Sequence, residues 1–263
     1  MKKYLVIGNP INHSLSPKLH NFWIKQNRID AIYDKEKLNS NQLEDLILKV
    51  RSKKIDGINI TVPFKTTVIP YLDQLSMEAE QTKSVNTIYL KNEKVIGHNT
   101  DVYGFEKAIN KINFKVTDKK IFILGAGGVV PSIIYALNKM GAINISISNR
   151  TKDKAKLVKD IFNNLKIVDW GVLPEFDVII NATSLGLNKD DKIELNFSSV
   201  GKDKLFYDVI YNPSETNFLK MGKKLGNECE NGKFMFIYQA FSAFKLWHSV
   251  DPMINNETIK LLD

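Results

Sequence analysis

A glycine-rich turn between a strand and a helix places the strongest limit on how this chain can fold. Residues 120–124 are apolar enough for a buried parallel strand, and Gly125-Ala126-Gly127-Gly128 follows at once. A helix to Met140 is predicted next, with Pro131 in its first turn, where a missing N–H costs little. Glycines let the backbone approach a pyrophosphate closely, and the helix N-terminus offers free N–H groups. The turn therefore predicts a dinucleotide-binding domain, with these four residues against the cofactor.

The second strand of that domain indicates which dinucleotide is bound. An NAD site usually carries an acidic residue about 20 residues after the glycines, where it binds the ribose 2′-hydroxyl. Here the strand ends in Ser148-Asn149-Arg150-Thr151, without an acid at its tip. The Arg150 guanidinium can pair with a 2′-phosphate, and Lys154 could add a second cation one helical turn further on. The sequence therefore predicts NADP rather than NAD.

Short apolar strands alternate with amphipathic helical segments along the chain, which predicts two α/β domains, with a parallel sheet in the part after Asp101. In the first domain, residues 85–90 and 94–96 are predicted to form a hairpin that turns at Lys91-Asn92-Glu93. Ser16-Pro17 is interpreted as the N-cap and first residue of a helix. Helices are predicted at 18–26, 42–50, 103–111, 153–163 and 234–250, and further strands at 4–7, 57–62, 85–90, 94–96, 144–148, 177–180 and 204–207.

Composition excludes several classes of protein. The 263 residues contain no run of about 18 apolar residues, so no transmembrane helix is expected. A single cysteine, Cys229, excludes an internal disulfide framework and a Cys-cluster metal site, and it favours a reducing cytoplasm. The net charge of +8 is spread along the chain, so we expect a solvated basic surface and no nucleic-acid partner. The four histidines lack metal-ligand spacing, so no metal is expected.

Four polar segments interrupt the apolar pattern of the first domain. Each lies at or just beyond a predicted strand, where open α/β sheets place their ligands. Their hydroxyls, amides, lysine and aspartate suit a small polyhydroxy carboxylate. The segments are Asn9 to Pro17, Asn59 to Lys65, Val85 to Thr87, and Gly97 to Asp101.

These motifs, in this order, resemble those of the shikimate dehydrogenase family. The resemblance covers nearly the whole chain and is carried by GNPINHSLSP, NITVPFK, VNT, GHNTD, ILGAGG, SNRT, NATSLG and Gln239-Ala240. It implies reversible NADPH-dependent reduction of 3-dehydroshikimate to shikimate, in aromatic amino-acid precursor synthesis. It also implies a substrate-binding domain of residues 1–101 plus 237–263, completed by C-terminal helices, and a Rossmann-like NADP-binding domain of residues 102–236. We expect no membrane partner, and a monomer or homodimer.

The same resemblance implies a role for individual side chains. Lys65 and Asp101 are expected to form the catalytic pair. Ser14 and Ser16 are expected to hold the substrate carboxylate, whereas Asn59, Thr61, Asn86, Tyr211 and Gln239 are expected to contact the rest of the substrate. The cofactor is expected to lie against Gly125, Ala126, Gly127, Gly128, Val129, Asn149, Arg150, Thr151, Lys154, Val209 and Gly232.

Three alternatives remain open from the sequence. The first is a quinate/shikimate dehydrogenase that uses NAD, against which the absence of an acid beside Arg150 argues. The second is a non-catalytic NADP-binding homologue, which would have no need of Lys65 and Asp101. The third is a methylenetetrahydrofolate dehydrogenase, which shares the two-domain plan; Ser14-Leu15-Ser16 and Asn59 to Lys65 favour the shikimate dehydrogenase family over it.

Overall fold

The computed structural model of the protein describes residues 1–262. The chain divides into two compact units, of which the first comprises Met1–Gly104 and the residues from Ile237 onward. The second unit is Phe105–Phe236. The first unit therefore extends past Asp101, where the sequence analysis places a domain boundary.

Strands and helices alternate through most of the described chain. The strands are β1 (Lys2–Gly8), β2 (Ala31–Lys37), β3 (Gly57–Ile60), β4 (Gln74–Leu75), β5 (Thr87–Lys91), β6 (Lys94–His98), β7 (Lys120–Leu124), β8 (Asn144–Ser148), β9 (Lys166–Ile167), β10 (Val178–Asn181), β11 (Leu205–Asp208) and β12 (Glu228–Glu230). The helices are α1 (Ser16–Gln26), α2 (Leu43–Arg51), α3 (Met77–Thr82), α4 (Thr100–Lys111), α5 (Val130–Lys139), α6 (Lys152–Ile161), α7 (Asn217–Lys224), α8 (Lys233–His248) and α9 (Asn256–Lys260).

The first unit contains a mixed sheet in the order β2-β1-β3-β5-β6-β4. Strand β1 is parallel to both β2 and β3, whereas β5 is antiparallel to β3 and β6. The hairpin predicted for residues 85–90 and 94–96 is confirmed by the antiparallel pairing of β5 and β6. Asn92 and Glu93 both adopt positive φ, and they turn β5 into β6 as a tight hairpin.

The core of the first unit packs α2 against the sheet. Leu43, Leu46, Ile47 and Val50 recur at helical spacing and are all buried. They join the apolar residues of β1 and β3 in one cluster. This packing holds the carboxyl ends of β1 and β3 in place, and two of the polar segments follow those ends.

The start of α1 differs from its prediction. Leu15 occupies the N-cap position, Ser16 is already helical, and the N-cap makes no side-chain hydrogen bond. The Ser14 hydroxyl instead accepts the backbone N–H of Ser16 at 3.3 Å. A helical serine does not cap its own helix, because its side chain does not point towards the next N–H groups.

The second unit contains a parallel sheet in the order β12-β11-β10-β7-β8-β9. Successive strands run outwards in both directions from the centre, where β7 and β10 lie side by side. This is the doubly wound order of dinucleotide-binding domains, in which ligands bind at the carboxyl ends of the central strands.

Several elements have no counterpart in the sequence prediction, namely β2, β4, β9, β12, α3, α7 and α9. Strand β2 shows why, because only Tyr33 among its seven residues is buried. An edge strand with charged residues on its exposed positions lacks the apolar run from which strands are recognised. None of the helices described in residues 1–262 is long and apolar enough to cross a membrane.

Candidate active site

A buried ion pair lies at the centre of the polar segments of the first unit. Lys65 Nζ lies 2.5 Å from Asp101 Oδ2, and the two residues are 8% and 6% exposed. Lys65 follows β3 through a turn closed by Phe64 N–H donating to the Thr61 carbonyl, and its own carbonyl accepts Val85 N–H. A paired, partly desolvated ammonium group is suited to neutralise a developing oxyanion.

The N-terminus of α4 holds Asp101 in place. Asn99 precedes the helix, and its Oδ1 accepts the N–H groups of Asp101 at 3.1 Å and Val102 at 3.4 Å. Its Nδ2 donates to Thr82 Oγ1 and to the Ser84 carbonyl. The positive end of the helix dipole and the cap together favour a fixed, ionised carboxylate at the second helical position.

Asn86 contacts the second oxygen of that carboxylate. Its Nδ2 donates to Asp101 Oδ1 and to Thr100 Oγ1, each at 2.9 Å. Its Oδ1 accepts Thr100 N–H at 2.7 Å. Lys65 and Asn86 therefore occupy different oxygens of Asp101, which restrains the carboxylate in rotation as well as in position.

Asn59 lies on β3 beside this cluster. Its Nδ2 donates to the Asn86 carbonyl and to Thr87 Oγ1, while its Oδ1 accepts the hydroxyl of Tyr33 at 2.6 Å. Burial raises the pKa of Tyr33 well above that of a free tyrosine, and a hydrogen bond with Ser16 offsets part of that rise. The Tyr33 hydroxyl therefore stays protonated and acts as a donor to Asn59.

The two predicted carboxylate-binding serines lie close together, Ser14 in the loop after β1 and Ser16 at the first position of α1. Ser16 is buried, Ser14 is half-buried, and the Ser14 hydroxyl accepts the Ser16 N–H. Thr61 is half-buried after β3, whose Ile60 pairs in parallel with Ile7 of β1. All three side chains thus follow neighbouring strand ends. Gln239 is half-buried on α8 within the same unit.

The glycine turn of the second unit has the shape that a bound pyrophosphate needs. Gly125 has φ +109°, and a Cβ there would meet the Ala182 carbonyl oxygen at 2.6 Å. Gly127 is exposed, and a Cβ would meet nothing within 4 Å, so one side of the backbone is open. Val129 occupies the N-cap of α5, and the free N–H groups of that helix end follow. These residues fit an anionic cofactor group.

The loop after β8 presents positive charge without a compensating acid. Arg150 and Lys154 are exposed, and neither forms an ion pair within residues 1–262. The nearest acid in the sequence, Asp153, is paired with Lys156 at 2.8 Å. Asn149 Nδ2 donates to the Thr151 carbonyl at 2.8 Å, which fixes the turn. The loop fits a phosphate on the adenosine ribose.

The segment after β11 brings Val209 and Gly232 together. A Cβ at Gly232 would overlap the carbonyl oxygen of Val209, so only glycine fits there. The ring of Tyr211 stacks on Phe236 with centroids 4.4 Å apart. Asp208 anchors the start of the segment.

The Asp208 carboxylate is fully buried and bonded on both oxygens. It accepts hydrogen bonds from Asn181 Nδ2, Ile210 N–H and Thr216 Oγ1. Burial raises the pKa of Asp208, and those three donors offset part of that rise. The buried carboxylate thereby ties the ends of β10 and β11 to the start of α7.

Five of these residues have no site role in the sequence analysis: Tyr33, Thr87, Asn99, Thr100 and Asp208. Three of them lie within two residues of Asn86 or Asp101 in the chain, and their position in the VNT and GHNTD motifs could have indicated a supporting role. Tyr33 gives no such indication, because its strand was not predicted and it meets Asn59 only through sheet pairing.

The fold and these groups define a dinucleotide-dependent oxidoreductase built from two α/β units. The model of the shikimate dehydrogenase substrate binding domain matches residues 6–88, and that of shikimate/quinate 5-dehydrogenase matches residues 106–209. The chain is 56% identical over 262 residues to shikimate dehydrogenase (NADP(+)) of Pelagibacter ubique strain HTCC1062, covering 100% of this chain and 99% of that relative. The chain belongs to the shikimate dehydrogenase family.

Two solved structures support the same family assignment. Shikimate dehydrogenase of Aquifex aeolicus is similar with a TM-score of 0.91 at 36% identity, covering 100% of this chain and 97% of that one. Shikimate 5-dehydrogenase of Thermus thermophilus, in complex with NADP(H) and shikimate, has a TM-score of 0.89 at 28% identity, covering 100% and 98%. The predicted family and the α/β fold class are confirmed.

Proposed function

We propose that this protein catalyses the reversible NADPH-dependent reduction of 3-dehydroshikimate to shikimate, and that Lys65 and Asp101 handle the proton. The observation that carries the proposal is the buried contact of 2.5 Å between Lys65 Nζ and Asp101 Oδ2. Family membership and the NADP(+)-dependent relatives support the reaction.

The proposed role of Lys65 follows from the negative charge that develops on the carbonyl oxygen during reduction. NADPH, when bound, supplies the hydride to the carbonyl carbon. The carbonyl oxygen then needs one proton, and the Lys65 ammonium is positioned as its donor. In the reverse direction neutral Lys65 takes the hydroxyl proton. Asp101 orients the ammonium group and offers its remaining lone pairs to a neighbouring substrate hydroxyl.

The remaining assignments keep the roles that the sequence indicates. Ser14 and Ser16 lie together, as one carboxylate would require, and Asn59, Thr61, Asn86, Tyr211 and Gln239 are proposed substrate contacts. Gly125 to Val129 are proposed to hold the pyrophosphate, and Asn149, Arg150, Thr151 and Lys154 the 2′-phosphate. Val209 and Gly232 are proposed to lie at the nicotinamide. A cytoplasmic location, which the single cysteine supports, stays a prediction.

Initial rates at 340 nm test the reaction directly. Shikimate and quinate are each assayed against NADP⁺ and NAD⁺ with the wild-type protein. We expect turnover with shikimate and NADP⁺. Turnover only with quinate and NAD⁺ would instead assign the protein as a quinate/shikimate dehydrogenase that uses NAD. A folded protein that binds NADP⁺ but shows no turnover with any of the four pairs would be a non-catalytic homologue.

The variant Lys65→Ala tests the role of the lysine. Loss of the proton-transfer group is expected to lower kcat about 100-fold or more while the KM for shikimate changes little. Lys94→Ala serves as the control, because Lys94 is an exposed lysine on the same sheet. A large rise in KM with kcat intact would show that Lys65 only binds substrate.

A further inference from the structure

Thr87 lies at the centre of the buried network and has no role in the function proposed above. It begins β5, is 0% exposed, and follows Asn86 directly. Its Oγ1 accepts from Asn59 Nδ2 at 3.0 Å and donates to Asn86 Oδ1, also at 3.0 Å. The hydroxyl therefore connects two asparagines on neighbouring strands.

The backbone determines the orientation of both asparagines. Asn86 Oδ1 accepts the N–H of Thr100, so its Nδ2 must face Asp101. Asn59 Nδ2 donates to the carbonyl of Asn86, so its Oδ1 must face Tyr33. A backbone N–H only donates and a backbone carbonyl only accepts, so neither amide can be flipped without losing a bond.

These orientations fix the donors of Asn59 and Asn86, and the shorter contact of Thr87 Oγ1, at 3.0 Å to Asn86 Oδ1 against 3.2 Å to Thr100 Oγ1, completes a chain of bonds towards Asp101. Tyr33 donates to Asn59, Asn59 to Thr87, Thr87 to Asn86, and Asn86 to Asp101. Every member is buried, so a missing bond would leave a polar atom without a partner in a water-poor environment. The chain thus runs from the hydroxyl of Tyr33 to the proposed catalytic carboxylate.

The hydrogen-bonding groups of the Asn86 side chain are all occupied, and this limits its role. Both hydrogens of its Nδ2 are taken by Asp101 and Thr100, and its Oδ1 already accepts Thr100 N–H and a threonine hydroxyl. In this arrangement Asn86 holds Asp101, and the substrate contact proposed for Asn86 would replace one of these bonds. Thr87 helps to hold Asn86, because its hydroxyl donates to Oδ1, the oxygen to which the Thr100 hydroxyl also donates at 3.1 Å.

We propose that Thr87 and Tyr33 are positioning residues, which set the orientation of Asp101 through the directed chain Tyr33–Asn59–Thr87–Asn86. The proposal rests on the proposed function, because Asp101 matters only if it orients Lys65 and substrate. Small displacements of a catalytic group cost rate because the reaction needs aligned atoms.

Two substitutions at Thr87 separate positioning from stability. Thr87→Val keeps the shape and removes the hydroxyl, whereas Thr87→Ser keeps the hydroxyl and removes a buried methyl group. Both are expected to lower Tm. With shikimate and NADP⁺, we expect Thr87→Val to lower kcat about 10- to 100-fold, and Thr87→Ser to stay within about threefold of wild type. The KM for NADP⁺ should be unchanged in both.

Tyr33→Phe supplies the second test, because it removes only the outermost donor and keeps the ring. Its control is Tyr4→Phe: Tyr4 pairs with Tyr33 across β1 and β2, is equally buried, and gives no hydrogen bond to the chain. We expect Tyr33→Phe to lower kcat/KM for shikimate about 3- to 10-fold, and Tyr4→Phe to leave it unchanged.

The outcomes distinguish this proposal from the one on which it rests. A wild-type protein without shikimate turnover would overturn the proposed function. If the wild-type protein is active and the loss of kcat in Thr87→Val and Thr87→Ser follows only the decrease in Tm of each variant, the positioning role of Thr87 is overturned. Equal effects of Tyr33→Phe and Tyr4→Phe on kcat/KM would overturn the positioning role of Tyr33.

Discussion

Arg150 is the side chain that we propose selects the cofactor. It follows β8 by two residues, is exposed, and has no acidic partner within the described chain. A guanidinium group binds phosphate through paired hydrogen bonds that an uncharged ribose hydroxyl does not offer in the same way. The choice of NADP over NAD is therefore expected to depend on this residue.

The variant Arg150→Ala tests that dependence. Loss of a charge-assisted contact is expected to raise the KM for NADP⁺ about 10- to 100-fold and to leave the KM for NAD⁺ unchanged. The control is Lys159→Ala, which removes a positive charge from an exposed position near the end of α6. Equal losses in the two variants would mean that only the overall charge of this surface attracts the cofactor.

At the scale of a secondary-structure element, α4 links backbone geometry to Asp101, the proposed catalytic carboxylate. Its cap residue, Asn99, is fully buried and uses Oδ1 for two helix N–H groups and Nδ2 for Thr82 and Ser84. The cap thereby joins the end of α3, the segment before β5 and the start of α4. A change at this position should affect both folding and activity.

We expect Asn99→Ala to lower the free energy of unfolding by about 3 kcal/mol, because it removes a cap and leaves buried polar groups without partners. It should also lower kcat for shikimate. Ser76→Ala, which removes the cap of α3, should cost about 1 kcal/mol and spare kcat. Urea denaturation and initial rates check both values, and an Asn99→Ala protein with wild-type kcat would contradict the link to Asp101.

The stability of the whole molecule is expected to depend on pH through His20. This residue is 0% exposed, neither ring nitrogen has a hydrogen-bond partner, and the ring stacks on Tyr33 with centroids 4.2 Å apart. Burial lowers the pKa of His20 to about 3, and the pKa of its neighbour His248 falls to about 4 for the same reason. The unfolded chain therefore binds protons at these sites at a pH where the folded chain does not.

The contribution of these two neutral histidines to the free energy of unfolding should be fully present above the pKa of an unfolded histidine, about 6.5. This contribution should decrease as the pH falls towards 3. Between pH 7 and pH 5 the His20 contribution amounts to about 2 kcal/mol. We expect His20→Leu to reduce this pH dependence of the free energy of unfolding, while the part due to His248 remains. Urea denaturation at both pH values, followed by the fluorescence of Trp23 and Trp247, measures it. An identical pH dependence in wild type and variant would exclude His20 as a source.

Local patterns in the sequence were sufficient to predict several elements to the residue. Strands β7 and β8 begin and end where they were predicted, because continuous apolar runs bounded by glycine or polar residues define a buried strand. The same holds for the dinucleotide turn, in which the backbone conformation and the close Ala182 carbonyl require glycine at position 125. The proposed catalytic lysine and aspartate were identified through motifs that resemble a family.

The tertiary structure decided which polar groups meet. Tyr33 and Asn59 are 26 residues apart and Lys65 and Asp101 are 36 apart, so their contacts depend on strand order and register, which no local period encodes. Strand β2 was missed because an edge strand buries too little to leave an apolar run. The sequence by itself thus determined the strands that have continuous apolar runs, the turn and the chemistry of the side chains. Only folding determined the orientation of Asn59 and Asn86, because a backbone group from another element orients each of them, the Asn86 carbonyl and the Thr100 N–H.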